Sequence, residues 1–297
     1  MEDVKATAIF WVALNRLAVG YSDGSIALWS IYPQQLISRH PIHHSAIIDL
    51  ASGYPTTPYL VSSTAVSGAL KLVDLHSPSF ETTDSQVQVI STQPRLLAYS
   101  DHLLGFFAMY PQARVINTMV SFQRASHFPL PKTVYNSDSL VSCLAVGKCH
   151  PFLLVGSLDG SLWALNPLTE LFSQRSKVTL RIRLFQHEHR PKTFFPPESP
   201  ACKRGVSRIV QGFAVEQNRN IHGEGKPGPK KVSKAPKVTI YDDEDERAGP
   251  AEGPKVALHE SLTRITAMEW NPNHGYGCWA AVAVGSGLVR VLDLGLS

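Results

Sequence analysis

Residues 16–31, RLAVGYS-DG-SIALWSI, decide how this chain folds. Two apolar runs flank Asp23-Gly24, and an Asp-Gly pair in that setting supplies the positive φ angles that a two-residue antiparallel turn requires. The unit recurs. PFLLVGS (151–157) passes through Asp159-Gly160 into SLWALN (161–166), PYLVSSTAV (58–66) turns near Ser67-Gly68 into ALKLVDL (69–75), and WAAVAVGS (279–286) turns at Gly287 into LVRVLDL (288–294). A weaker member, LLGFFAMY (103–110), turns at Pro111-Gln112 into ARVINTMV (113–120). Apolar residues alternate or run continuously for four to six positions in these segments, and β-branched and aromatic types dominate, which favours strands over helices.

The turn positions Gly24, Gly68, Gln112 and Gly160 are separated by 44, 44 and 48 residues, near the 40–45 of a WD-type propeller blade. The step from Gly160 to Gly287 is 127 residues, roughly 80 more than one blade needs. An apolar run precedes each hairpin and suits an innermost strand: ATAIFWVAL (6–14), AIIDLAS (46–52), RLLAYS (95–100), LVSCLAVG (140–147) and RITAMEW (264–270). Outer strands are expected at Gln86 to Ile90 and Val178 to Phe185. Each small sheet is apolar on both faces and cannot stand alone, whereas radial stacking buries those faces between neighbours. The prediction is an all-β, WD-type β-propeller with about five recognisable blades and one long irregular insertion. Blades one to four occupy 1–186, a Pro/Gly-rich charged insertion 187–260 with an outer strand near 206–216, and the closing blade 261–297.

Composition bounds the function. Of 297 residues, 43% are hydrophobic and 18% charged, and no stretch approaches the roughly 20 apolar residues of a membrane span. The opening MEDVKA lacks a secretory layout, so a nuclear or cytosolic location is expected and no membrane partner. Cys143, Cys149, Cys202 and Cys278 show no C-x2-C pair, which argues against zinc and for reduced thiols; Cys149-His150 is the one adjoining pair of ligand types. The net charge of +4 hides an asymmetry: residues 175–237 carry 15 Lys/Arg against four acids. Lys226, Lys230, Lys231, Lys234 and Lys237 cluster there, a pattern that fits a phosphate contact or an import signal as well as a solvated linker. The acidic run 242–246 follows them and offsets part of their field.

Signatures of catalysis fail: there is no phosphate loop, metal-binding HExxH helix or GxSxG elbow. No catalytic, cofactor or metal residues are assigned, and no cofactor is expected. His40, His43 and His44 are expected in an exposed connection between blades. Asp49, Asp74, Asp159 and Asp293 sit at strand ends and turns, where a carboxylate accepts backbone hydrogen bonds; Asp23, Gly24, Gly68, Asp159, Gly160 and Gly287 are the structural turn residues. Trp11, Trp29, Trp163, Trp270 and Trp279 fall within strands, with packing between blades as the expectation and one or two free to anchor a partner.

The stretch 264–294, with Trp270-Asn271-Pro272-Asn273, Trp279-Ala280-Ala281 and Ser286-Gly287-Leu288-Val289-Arg290-Val291, resembles the closing blade of the WD-repeat subunit of transcription factor TFIIIC, particularly its fungal, B-block-associated form. The module at 151–167 and the basic insertion before the last blade are similar to the same family. This resemblance implies a non-catalytic scaffold in the nucleus, supporting recognition of internal promoters and transcription of tRNA and 5S rRNA genes by RNA polymerase III. It implies other TFIIIC subunits as partners, above all the large B-box-associated DNA-binding subunit, with promoter DNA reached indirectly or through the basic loop. A family propeller has about seven blades, so five here imply an incomplete ring lacking its opening blades. A propeller adaptor in an unrelated complex, for trafficking or ubiquitin ligation, is the alternative, because fold alone does not select function.

Overall fold

The computed structural model describes residues 3–85, 96–111, 118–137, 139–172, 180–190, 206–210, 214–217 and 261–295. The first antiparallel sheet is formed in chain order by β1 (Ala6–Ala13), β2 (Arg16–Tyr21), β3 (Ser25–Ser30) and β4 (Gln35–Pro41). β5 (Ile47–Gly53), β6 (Thr57–Ala65), β7 (Leu70–Asp74) and β8 (Glu81–Asp84) form the second, and β9 (Leu96–Ser100), β10 (Gly105–Pro111), β11 (Thr118–Arg124) and β12 (Lys132–Ser137) the third. The fourth contains β13 (Val141–Val146), β14 (Leu153–Ser157), β15 (Ser161–Leu165) and β16 (Leu180–Arg190), with a short helix, α1 (Pro167–Phe172), between the last two strands. β17 (Val206–Val210) and β18 (Ala214–Gln217) both pair with the free edge of β16, one beside each half of that strand. The fifth sheet has three strands, β19 (Ile265–Trp270), β20 (Trp279–Val284) and β21 (Val289–Asp293).

Three local readings need correction. The second strand of the third hairpin, expected at 113–120, is β11 at Thr118–Arg124, paired with β10 from Pro111 beside Thr118 onward, and the expected turn residue Gln112 lies outside the described residues. The outer strand of the second sheet is β8 at Glu81–Asp84, paired with β7, so it precedes the 86–90 segment, which lies outside the described residues. Its residues, ETTD, are all exposed and lack the apolar alternation by which a strand is recognised. The single strand expected near 206–216 is two short ones, because the eleven-residue β16 offers an edge long enough for both. β16 itself continues to Arg190, past the residue 187 at which the insertion is read to begin.

First strands pack on first strands: β1 on β5, β5 on β9, β9 on β13 and β13 on β19. The two-residue side-chain period of a strand makes this possible. In β14, Leu153 and Val155 enter the cluster shared with the third sheet, while Leu154 enters the cluster shared with the fifth. Four apolar clusters result, one at each junction. Ile26 and Leu28 meet Leu50 and Val61; Leu70 and Leu72 meet Phe106 and Tyr110; Phe107 and Val120 meet Leu153 and Trp163; Leu154 and Phe185 meet Trp270 and Val282. No comparable packing joins β19 to β1, so among the described residues the sheets form an open arc. No helix of the described residues is long and apolar enough to cross a membrane.

Hydrogen bonds stitch the junctions. The Asp49 carboxylate on β5 accepts from the Leu97 backbone N–H on β9 at 2.9 Å as well as from that of Leu50. The Ser142 hydroxyl on β13 donates to the Ile265 carbonyl at 2.6 Å. His43 is buried rather than exposed, 4% accessible, with Nε2 2.9 Å from Ser63 Oγ in the second sheet. His187 holds the corresponding place after β16: its backbone N–H donates to Gly160 O, as that of His43 does to Gly24 O, and its ring lies between Thr263 O and Ser286 Oγ. The sequence reading missed both because the histidine is buried by the next sheet, not by its neighbours in the chain.

Burial drives the His43 pKa down to about 4, and it lifts that of Asp49 to about 6 against its two backbone hydrogen bonds. The consequences for stability are opposite. Folded His43 binds a proton less readily than the unfolded chain, so its contribution is complete above about pH 6.5 and is lost as pH falls toward 4. Folded Asp49 holds a proton that the unfolded chain releases, so its contribution is complete below about 3.8 and is lost as pH rises through 6. The stability of the wild type relative to His43→Gln falls on acidification, whereas relative to Asp49→Asn it falls as pH rises. Each difference is on the order of 1–3 kcal/mol, read from urea midpoints between pH 4 and 7. Parallel slopes for the two variants would contradict the assignment.

A candidate interaction surface at the two ends of the arc

The terminal sheets carry exposed large apolar side chains on the face that every inner sheet buries. In the first sheet, Val12, Ala18, Ile26 and Leu28 point to the second sheet. Their neighbours along each strand therefore point the other way. Cross-strand register places Ile9 beside Val19, then Ala27, and Trp11 beside Leu17, then Trp29 and Leu36. Ile9, Trp11 and Leu36 are 60%, 49% and 47% exposed. Trp29 donates its indole N–H to Tyr21 Oη at 3.2 Å, and Arg39 lies over the Tyr21 ring at 4.3 Å, so the polar margin of this face is ordered.

The fifth sheet mirrors this. Ala280, Val282 and Val284 pack on the fourth sheet. On the opposite face Val291 lies beside Ala281, Val289 beside Ala283, and Asp293 beside Trp279. Val289, Val291 and Trp279 are 65%, 61% and 40% exposed, and the row of alanines between them leaves hollows for side chains from another layer. Among the described residues β21 has no partner along its outer edge, where the other four sheets carry a fourth strand. Burying each large apolar side chain is worth about 1.5–3 kcal/mol, so both faces favour a further sheet.

The turn residues lie away from these faces. Gly24, Gly68, Gly160 and Gly287 have φ of +83°, +87°, +80° and +83°. At Gly24 a Cβ would also come within 2.2 Å of the His43 carbonyl oxygen, so only glycine fits. Asp23 and Asp159 each accept the backbone N–H, at 3.0 Å, and the hydroxyl, at 2.6 Å, of the serine two residues on. Lys226, Lys230, Lys231, Lys234 and Lys237 lie outside the described residues. Among the described residues no three His, Cys, Asp or Glu side chains gather as metal ligands; Cys149 Sγ faces Pro272 O and His150 Nε2 faces Gly277 O, both at the junction of the fourth and fifth sheets. Of the tryptophans, Trp163 and Trp270 are buried and Trp11 and Trp279 are exposed. The strand pattern is the same for both pairs.

The fold is a WD-type β-propeller open, among the described residues, between its first and last sheets and presenting apolar faces there. Comparison with known proteins agrees. The chain is 22% identical over 291 residues to transcription factor tau subunit sfc6 of Schizosaccharomyces pombe, a match covering 95% of this chain and 40% of that protein. The resemblance read at Trp270–Asn273 and Ser286–Val291 is thus borne out, and the chain spans about two fifths of the length of the curated relative it matches. A chain in the crystal structure of the mitotic checkpoint complex aligns with a TM-score of 0.50 at 13% identity, covering 99% of this chain and 78% of that one, a likeness of fold alone. No family model matches.

Proposed function

We propose that this chain is a non-catalytic interaction subunit of the TFIIIC complex, acting in the nucleus in support of internal-promoter recognition and RNA polymerase III transcription of tRNA and 5S rRNA genes. The observation that carries the reading is the likeness to the S. pombe tau subunit along nearly the whole chain. The open arc supports it, because two apolar sheet faces and a strand edge unpaired among the described residues suit assembly and not turnover of a small substrate. Its partners are the other TFIIIC subunits, above all the large B-box-associated DNA-binding subunit. In chain order the charged segment 218–260 lies between β18 and the fifth sheet.

Purification of the tagged chain from nuclei tests the assignment. Recovery of TFIIIC subunits is the expected result; recovery of coat or ubiquitin-ligase components in their place would assign the propeller to another complex. The basic loop is proposed to touch promoter DNA through Lys226, Lys230, Lys231, Lys234 and Lys237. Replacing all five with Gln flattens the dependence of log K on log salt by up to about 4.5, given a slope near 0.9 for each phosphate neutralised. An unchanged slope in fluorescence-anisotropy titrations removes the loop from the DNA contact.

A further inference from the structure

Asp-Gly-Ser occurs at the same place in the first and fourth sheets, with different consequences. In the first sheet Arg39, opposite Ala27, closes the site: Nη2 lies 2.7 Å from Asp23 Oδ2, and Nε donates to Ser25 Oγ at 2.7 Å. In the fourth sheet Trp163 stands where Ala27 stands, and Arg183 is opposite it. The indole holds the Arg183 guanidinium over its ring, 5.9 Å from the centroid, and donates its N–H toward Ser161 Oγ at 3.3 Å. Asp159 is turned onto Ser161, and among the described residues no ion pair joins it to Arg183.

The pair that is shut in the first sheet therefore stays open in the fourth. A cleft of about 230 Å³ lies between the third and fourth sheets, with Arg181, Arg183, Asp159, Ser139 and Tyr135 among its lining. Arg181 spans it, stacked over Tyr135 at 5.4 Å and Trp163 at 4.9 Å. Two donors there lack an acceptor among the described residues. They are Nε of Arg183 and the hydroxyl of Ser139, whose side chain is 95% buried given its 5% accessibility. A buried donor without a partner costs about 1–3 kcal/mol, which an entering acceptor recovers.

We infer that this cleft binds the carboxylate of an Asp or Glu side chain presented by a segment of a partner protein. Donor geometry selects the ligand: the unsatisfied Arg183 Nε and Ser139 hydroxyl suit the two acceptor oxygens of a carboxylate, one of them with charge assistance. Nucleic acid is disfavoured because Asp159 repels a phosphate backbone and the faces of Trp163 and Tyr135 are covered by arginine, leaving no platform for a base. The volume admits the head of one acidic side chain with a few waters. The inference holds whichever complex the propeller belongs to.

The Trp163 indole N–H reports occupancy in the full chain labelled with ¹⁵N-tryptophan, its signal assigned with Trp163→Phe. N-acetylglutamate N-methylamide shifts that signal saturably with a Kd on the order of millimolar, and the neutral glutamine analogue does not. Arg183→Gln weakens binding about tenfold or more through loss of a charge-assisted hydrogen bond. Ser139→Ala, the milder change, weakens it by about threefold, and Arg39→Gln in the closed counterpart leaves it unaltered. Absence of a saturable shift, an equal response to the glutamine analogue, or insensitivity to Ser139→Ala overturns the site. Tighter binding of phenyl phosphate or of oligothymidylate than of the glutamate probe overturns the carboxylate assignment.

Discussion

Trp270→Ala lowers the stability of the fourth and fifth sheets by about 4–6 kcal/mol, the cost of emptying a tryptophan site plus that of orphaning its hydrogen-bond partner. Trp270 is 1% exposed, donates its indole N–H to the Ala145 carbonyl at 3.1 Å, and meets the His150 ring edge-on at 4.2 Å. One side chain thus supplies apolar volume, a buried hydrogen bond and an aromatic contact at the junction of those two sheets. In a stacked architecture each sheet is stabilised chiefly by its neighbours. The fifth sheet packs on the fourth and, among the described residues, has nothing comparable on its other side. Amide exchange in the variant therefore rises in β19, β20 and β21 while β5 to β8 stay protected. Trp270→Phe keeps most of the volume and loses the N–H, at a cost of about 1–2 kcal/mol. Uniform loss of protection across all five sheets would falsify this view of the arc as neighbour-stabilised layers.

Trp11→Glu combined with Val291→Glu has its large effect on association instead. Both residues lie on the end faces, 49% and 61% exposed, and a charge there stays in water, so folding stability changes by no more than about 0.5 kcal/mol. Contiguous apolar area at the ends of the arc drives self-association of the isolated chain. Sedimentation velocity is expected to show oligomers of the wild type and a tenfold or greater weakening of that association in the double variant, in line with about 1.5–3 kcal/mol for each large apolar side chain left uncovered. Val12→Glu, one position along β1 on the covered face, and Val282→Glu, on the covered face of the adjoining strand β20, are expected to unfold their sheets, since 0% and 1% exposure leaves the carboxylate no water. Should the double variant melt like these two, the end faces are structural and not docking surfaces.

Four of the five hairpins and all five innermost strands were legible because their signals are local, whereas the hairpin read at Pro111-Gln112 has its second strand later, at Thr118–Arg124. Asp-Gly sets positive φ within a four-residue turn, and two-residue alternation is complete within one strand. The strand ETTD at β8 was not legible, since an exposed outer strand needs only a free edge to pair with and carries no apolar pattern of its own. The acid-binding cleft was hidden for a related reason: Arg181 and Arg183 alternate with apolar residues like any outer strand. What opens the cleft is Trp163 in the place of Ala27, together with the third sheet opposite.

Trp11, Trp279, Trp163 and Trp270 state the division most plainly. All four lie in or at the ends of apolar runs, and the amino-acid order alone determined that each belongs to a two-faced sheet able to survive only in a stack. Which of them is covered was decided by whether a neighbouring sheet stands opposite, and that neighbour comes from a part of the chain tens of residues away. Strand formation depends on backbone and side-chain preferences within a few residues, whereas burial depends on area shared between sheets, and only the tertiary arrangement determines that area.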